Sequence, residues 1–370
     1  MNIGVPKEIK NNEFRVSVTP FGVMELIKLG NNVFVEHMAG IGSGFTDKSY
    51  LKSGATICDS SEEVFKKSDM IVKVKEPQPS EIKLIREDQI IFTFFHFAAD
   101  LDMTKSILNT GATSIAYETV QNQDGSLPIL VPMSEVAGRM SIQNGAKCLE
   151  GSMGGMGKLL SGVPGVPRAN VSVIGGGVVG SNAAKLAAGL GAKVNILDID
   201  MDRLRYLDDI MPSNVQTLYS NSYNIHSVIK ESDLLIGAVL VVGSKAPNLI
   251  TKEMLKDMKY GSVIVDVAVD QGGCVETCKP TTHKNPTYIV DDVVHYCVSN
   301  MPGSVSHTST IALTNITLQY IKEISTFGCN EALKSNNALK LGLNTYRGMV
   351  THVGVAESFN LDYNHPDIIN

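Results

Sequence analysis

The stretch VIGGGVVGS, Val173 to Ser181, places Gly175, Gly177 and Gly180 at the spacing G-x-G-x-x-G, behind an apolar run and ahead of a helical pattern. Each glycine has a mechanical task in such a turn. The first permits the tight bend, the second lets backbone approach a pyrophosphate, and the third lets helix and strand pack closely. The helix start then offers unpaired N–H groups and a positive dipole end to phosphate. Asp198 ends the next apolar run, ILDID, where an acid accepts hydrogen bonds from the adenosine ribose hydroxyls and repels a 2′-phosphate. NAD is therefore favoured over NADP, less firmly because Arg203 and Arg205 follow. On this motif alone FAD or S-adenosylmethionine would serve as well, and a tight turn with no ligand is the bland reading.

A second set of polar residues precedes the glycine turn. Arg15 follows KNNEF, Lys75 ends the apolar run MIVKVK, and His96 interrupts the aromatic run FTFFHFAA. A charge at the carboxyl end of a strand points to the crevice where open α/β sheets bind ligands. Taken singly, Arg15 and Lys75 read as ion-pair partners and His96 as a hydrogen-bonded core histidine. Asp270 follows the run SVIVDVAV; it would orient a histidine, hold a water or lie beside a nicotinamide, or simply cap the DQGG turn, and Asp266 is more ambiguous still. Phe94, Phe95 and Phe97 would narrow a substrate pocket, but core packing is their ordinary role.

These residues need scaffolds, and the chain supplies two. Its 370 residues suffice for two domains. Up to about residue 129, short β-rich runs alternate with helical patterns, which argues a parallel α/β sheet. A long helical pattern, SEVAGRMSIQNGAKCLEGSM, begins at Ser134 with an N-capping residue type and reads as an interdomain helix. From VSVIG onward strands and helices again take turns, enough for a complete dinucleotide fold. After NMPG the pattern is helical, and the tail to Asn370 has no strand of its own. The fold class is thus α/β, two Rossmann-like doubly wound domains with a cleft between them. The boundaries are 1–129 plus 307–370 for a discontinuous substrate domain and 130–306 for the nucleotide domain.

The net charge of -6, from 38 acidic and 32 basic residues without a long block of either sign, argues against nucleic-acid or acidic-membrane partners. The N-terminal stretch has no secretory or transit composition, and no apolar run is long enough to span a membrane, so a cytoplasmic protein is expected. The six cysteines are scattered and read as reduced thiols. Cys274 and Cys278, with His283 nearby, invite a zinc reading, but no second pair with metal-ligand spacing follows, and no metal is expected.

Read together, GVPKEIKNNEFRV, VKVKEP, FHFAAD, PMSEVAGRM, GGGVVG, DVAVDQGGC, PTTH and HYCVSNMPG resemble the family of alanine dehydrogenases and the nucleotide-binding part of transhydrogenases, in order and over nearly the whole chain. The resemblance implies NAD-dependent, reversible conversion of L-alanine to pyruvate and ammonium by a homohexamer. It implies that Arg15 and Lys75 bind substrate and that His96 and Asp270 are the catalytic pair. For NAD it brings in Ser134, Gly175, Gly177, Val178, Val179, Gly180, Asp198, Arg203, Ser220, Val239 and Leu240. It adds Val267, Ala268, Val269, Lys279, Val298, Ser299, Asn300 and Met301. Met156 and His307 stand where relatives often carry a basic residue, and Lys279 where some have Arg. Two rivals stay open: a silent NAD-binding module on the same scaffold, and a dehydrogenase for another small amino acid or oxo acid.

Overall fold

The computed structural model describes residues 1–239, 247–269 and 272–368. Before residue 133 come strands β1 (Asn2–Val5), β2 (Asn32–Glu36), β3 (Thr56–Cys58), β4 (Met70–Val72), β5 (Ile90–Thr93) and β6 (Thr113–Ala116). From 134 to 304 come β7 (Asn170–Ile174), β8 (Lys193–Asp198), β9 (Val215–Tyr219), β10 (Leu234–Gly237), β11 (Val263–Asp266), β12 (Thr287–Val290) and β13 (Val293–Tyr296). The last described strands are β14 (Leu343–Tyr346) and β15 (Met349–Val350).

The chain divides into two compact units, Met1–Met133 with Val305–Asn370, and Ser134–Ser304. The first unit's sheet has the order β15-β14-β6-β5-β4-β1-β2-β3 and the second β12-β13-β11-β10-β7-β8-β9. Counted from the edge at β3 or β9, each begins third, second, first, fourth, fifth, the doubly wound order. Its parallel pairings are β1 with β2 and β4 in one unit and β7 with β8 and β10 in the other. The strand order reverses between β1 and β4 and between β7 and β10, so each unit has its own switch point at the carboxyl ends of its strands. Helices on both faces bury the central strands, which is why β4, β5, β6 and β10, and β11 as far as Asp266, read as apolar or small runs, and all five are buried at every position.

Local chemistry sets the element starts. Thr19 caps the helix Pro20–Lys28 by accepting the Gly22 N–H, with Pro20 in the first turn where no donor is needed. Ser60 and Asp100 cap later helices through Glu63 N–H and Met103 N–H. The long helix, Leu130–Cys148, starts at Leu130 and not at Ser134. The Leu127 carbonyl accepts the Leu130 and Val131 N–H groups, and Pro132 falls in the first turn, which tolerates a missing donor.

The tail does contain strands, contrary to the reading of its sequence. β14 pairs antiparallel with β6 and folds back on β15 through Arg347 and Gly348, both at positive φ (47° and 78°), the conformation a two-residue hairpin turn requires. Phe95 and Phe97 belong to a core cluster with Ile71, Ile91 and Ile107, so packing is their role. The six cysteines are free thiols. Among the described residues no helix is long and apolar enough to cross a membrane, and no group of three or more metal-ligating side chains gathers.

Candidate functional site

In the first unit, β4 ends at Val72 and β5 at Thr93, neighbours in parallel register. Lys75 and His96 therefore both lie just past the carboxyl ends of adjacent strands. The two segments are tied together, since Phe94 N–H donates to the Val74 carbonyl (3.3 Å) and Thr93 Oγ1 donates to the Lys75 carbonyl (2.9 Å). His96 is outside the strand, exposed, and left-handed at φ 55°, a backbone that costs a non-glycine residue about 1–3 kcal/mol. A core histidine would be neither exposed nor strained. Its ring stacks on Phe94 at 5.9 Å between centroids, and Phe94 packs edge-on against Tyr117. Two donors close this turn on one carboxylate, His96 N–H reaching Glu118 Oε1 at 2.6 Å and Phe95 N–H reaching both Glu118 oxygens at 3.3 Å, and Ala99 N–H returns to the His96 carbonyl at 2.9 Å.

Lys75 is held by a similar carboxylate. Glu8, from the segment after β1, accepts Val74 N–H at 2.6 Å and lies 3.4 Å from Lys75 N. The other Glu8 oxygen meets Lys73 Nζ at 3.1 Å, and Lys73 also bonds Glu81 at 2.7 Å; the lysine side chain is fully buried. Burial pushes the Glu8 carboxyl above its ordinary range, with Lys73 opposing. Burial also holds the Lys75 ammonium below the usual lysine range, and the positive charges of Arg15 and Lys10 push the same way. Arg15 therefore acts on Lys75 electrostatically. It is itself buried and forked onto Glu13, Nε to Oε1 at 2.7 Å and Nη2 to Oε2 at 2.6 Å, while Nη1 lies 3.0 Å from the Met133 sulfur. Ser17 Oγ donates to the Val72 carbonyl at 2.6 Å, fastening the Arg15 segment to the end of β4.

In the second unit the glycine turn does what its spacing requires. Gly175 has φ 103°, and a Cβ on Gly180 would stand 1.8 Å from the Gly175 carbonyl oxygen. Gly177 is exposed with nothing within 4 Å of the place a Cβ would occupy, so backbone there is open to an approaching ligand. The helix Val178–Gly189 starts immediately after, with Val178 and Val179 half-buried in its first turn. Asp198 is the last residue of β8; its carboxylate accepts Gly176 N–H at 2.6 Å and Asp200 N–H at 2.9 Å. Arg203 Nε donates to the Gly176 carbonyl at 2.6 Å, and its guanidinium lies over Tyr206. Asp198 thus braces the turn while retaining acceptor capacity, and Arg203 is spent on the turn. Ser220 N–H donates to the Asp198 carbonyl at 2.8 Å.

The other cofactor candidates of this unit cluster at the same carboxyl edge. Val239 follows β10, Val267, Ala268 and Val269 follow β11, and Val298, Ser299, Asn300 and Met301 follow β13. Asp266 organises the turn after β11: its carboxylate accepts the N–H groups of Ala268 (2.9 Å), Cys274 (2.9 Å) and Val275 (3.3 Å). Burial pushes its carboxyl up to about 6. Asn300 is left-handed at φ 59°, and its carbonyl accepts Gly303 N–H at 2.9 Å. Ser134 sits inside the long helix, half-buried. Lys279 is apart from this set, exposed and over the Tyr288 ring of edge strand β12 at 4.9 Å. Asp270 and Leu240 lie outside the described residues.

Where relatives often carry a base, Met156 uses its backbone, its N–H meeting the Gly261 carbonyl at 2.9 Å, and His307 bonds the Ser43 carbonyl through Nδ1 at 2.7 Å and stacks on Phe45. The motifs missed Glu8, Glu13, Lys73 and Glu118. Glu8 and Glu13 stand inside the quoted run GVPKEIKNNEFRV, so two acids flanking a basic residue near a strand end were the available signal. Glu118 had none.

The alanine dehydrogenase/PNT N-terminal domain family matches residues 4–137, and the alanine dehydrogenase/PNT C-terminal domain family matches residues 141–353. The alanine dehydrogenase of Methanococcus maripaludis is 55% identical over 98% of this chain and 98% of its own length. That of Staphylococcus haemolyticus is 55% identical over 98% of this chain and 97% of its own. A solved L-alanine dehydrogenase structure superposes with a TM-score of 0.95 at 51% identity, covering 97% of this chain and 99% of that one. A transhydrogenase from Sinorhizobium meliloti superposes with a TM-score of 0.80 at 24% identity, over 95% and 99% of the two chains, a likeness of fold alone.

Proposed function

We propose that this chain, which belongs to the alanine dehydrogenase/PNT family, is an NAD-dependent L-alanine dehydrogenase. It converts L-alanine, NAD and water to pyruvate, ammonium, NADH and a proton, and runs in reverse. The observation that carries the reading is the grouping, past the ends of β4 and β5, of a lysine held below its usual range and an exposed, backbone-strained histidine, with Arg15 close enough to act on that lysine. Such a set suits a small zwitterion whose reacting group must lose and gain protons.

The nucleotide residues fit NAD. Backbone at Gly177 admits the pyrophosphate, the helix Val178–Gly189 directs its N-terminus to it, and Asp198 accepts from the adenosine ribose. Bound NAD supplies the hydride acceptor for the alanine Cα hydrogen. Ser134, Val239, Val267 to Asp270 and Val298 to Met301 border the nicotinamide half, with Leu240 and Ser220 completing the contacts, Arg203 serving through its brace on the glycine turn and Lys279 as an outlying contact.

The unit Met1–Met133 with Val305–Asn370 binds the amino acid. The substrate carboxylate takes Arg15 Nη1, displacing a weak sulfur contact, and Lys75 lies near the reacting amine of alanine or, in the product, the carbonyl oxygen that water supplies. The ammonium group first gives up a proton, and loss of hydride from Cα then leaves an iminium ion. Water adds to the iminium carbon, giving a carbinolamine whose C–N bond then breaks to release ammonia as the oxygen loses its proton and becomes the carbonyl. His96 and Asp270 take the proton from the water and deliver one to the departing nitrogen; Lys75 stabilises the developing charge on oxygen. A homohexamer acting in the cytoplasm completes the reading, by family kinship.

The test is NADH absorbance with NAD and L-alanine, with D-alanine, L-serine, glycine and lactate alongside, and with pyruvate in the presence and absence of ammonium. Turnover of L-alanine above the others, with an ammonium-dependent reverse reaction, is expected. Binding of NAD without turnover of any of them would overturn the assignment, and light scattering at a mass other than six chains would overturn the hexamer.

A further inference from the structure

The His96 turn is built on a side chain that no motif marked. We propose that Glu118 is the positioning residue for His96: its carboxylate, reaching across from the segment after β6, holds the left-handed peptide that aims the imidazole. The proposal rests on the reading of His96 as a proton-handling residue of the alanine reaction.

Three observations carry it. A non-glycine residue at φ 55° does not hold that backbone unaided, and the structure must over-determine it. The short contact from His96 N–H to Glu118 Oε1, at 2.6 Å, with Phe95 N–H bridging both oxygens at 3.3 Å, is a carboxylate receiving two successive amides, a charge-assisted arrangement stronger than amide–carbonyl pairing. No basic side chain is ion-paired to Glu118 among the described residues. Burial lowers the pKa of nearby His352, with Glu118 opposing, and His352 Nδ1 is buried without a hydrogen-bond partner. Among the described residues, the hydrogen bonds that Glu118 makes are those to the two amides of the His96 turn.

The rest of the turn is consistent with this. Phe94 precedes it, stacked against the imidazole, and Phe95 and Phe97 anchor its flanks in the core, so Glu118 acts on a short peptide already held on both sides. At the end of β4 next door Glu8 likewise accepts Val74 N–H at 2.6 Å, so a carboxylate on backbone donors recurs at both strand ends.

The experiment uses the full-length enzyme and three readouts: kcat and KM for L-alanine, NADH affinity by fluorescence, and thermal unfolding. Glu118→Gln retains one acceptor oxygen and tests the charge; Glu118→Ala removes the acceptor. Expected is a kcat loss on the order of 10²-fold for Glu118→Ala and about 10-fold for Glu118→Gln, with NADH affinity within twofold of wild type. Placed on a His96→Gln background, Glu118→Gln leaves the residual rate unchanged, because a group that acts through His96 is silent once the imidazole is gone. Folded variants with wild-type kcat, or a further additive loss in the double variant, would overturn the assignment. Wild-type enzyme inactive on L-alanine would instead remove the reading on which it rests.

Discussion

The two units share a strand order and differ in what they place at its switch point. In Ser134–Ser304 the switch point is made of backbone: glycines, a helix start and one carboxylate that braces them. In the other unit it is made of polar side chains past β1, β4 and β5, each backed by a buried or half-buried acid, Glu13 behind Arg15, Glu8 behind Lys75 and Glu118 behind His96. The difference follows from the ligands each would hold. A pyrophosphate is large, doubly charged and met by many weak N–H donors, so removing side chains is the solution. A small zwitterion offers few atoms, so each contact must come from a long side chain fixed in place.

If that division is right, damage to the two switch points separates binding from chemistry. His96→Ala is expected to reduce kcat on the order of 10²–10⁴-fold while NADH affinity stays within twofold; equal losses in both would dissolve the distinction. Lys73→Met strands Glu8 and Glu81 as buried acids, and urea unfolding should show a loss of about 3–5 kcal/mol, larger than that from any exposed ion pair such as Arg205 with Asp202. A variant as stable as wild type would mean that the triad positions nothing.

Asp266 gives a pH test in the nucleotide unit. Its carboxyl is raised from 3.8 to about 6, so its favourable contribution is complete below the unfolded value and is lost as pH rises through about 6. The cost of Asp266→Asn should therefore shrink between pH 4 and pH 7, by on the order of 3 kcal/mol, when both proteins are unfolded in urea. A cost that grows with pH contradicts the raised value. The smallest effect is expected of Asp198→Ala, about tenfold in KM for NAD with little change in kcat, and with the NAD to NADP preference in kcat/KM reduced. A kcat effect larger than the KM effect would place Asp198 in the chemistry and blur the comparison.

The nucleotide unit was the more legible in sequence for the same reason. Its function lies in backbone freedom, and glycine spacing reports that directly: Gly175, Gly180 and Asp198 stand where the motif required. The first unit was legible only in its charged tips. Arg15, Lys75 and His96 could be named from their apolar surroundings, but the acids that set them could not, because the contact of Glu118 with His96 is made across neighbouring strands and leaves no periodic trace. His96 read as a core residue because the run FTFFHFAA around it is largely apolar, but β5 ends at Thr93 and the chain turns at His96 with a positive φ. The missed strands β14 and β15 flank Arg-Gly, a turn dipeptide without the Asn or Asp that usually marks such hairpins. The early start of Leu130–Cys148 was hidden by Ser134, whose residue type suits an N-cap but which lies inside the helix, while Pro132 is harmless in a first turn.

The pairing of β14 with β6 also orders events on the ribosome. The residues of the nucleotide unit are contiguous and are all synthesised before Leu343 emerges, so that unit is able to complete itself while the other still lacks an edge. Until then β6 presents a row of unmatched amides and carbonyls from a buried strand, the kind of surface on which chains stick to one another. Nascent copies on neighbouring ribosomes would meet through that edge, and the hairpin at 343–350 is what ends the exposure.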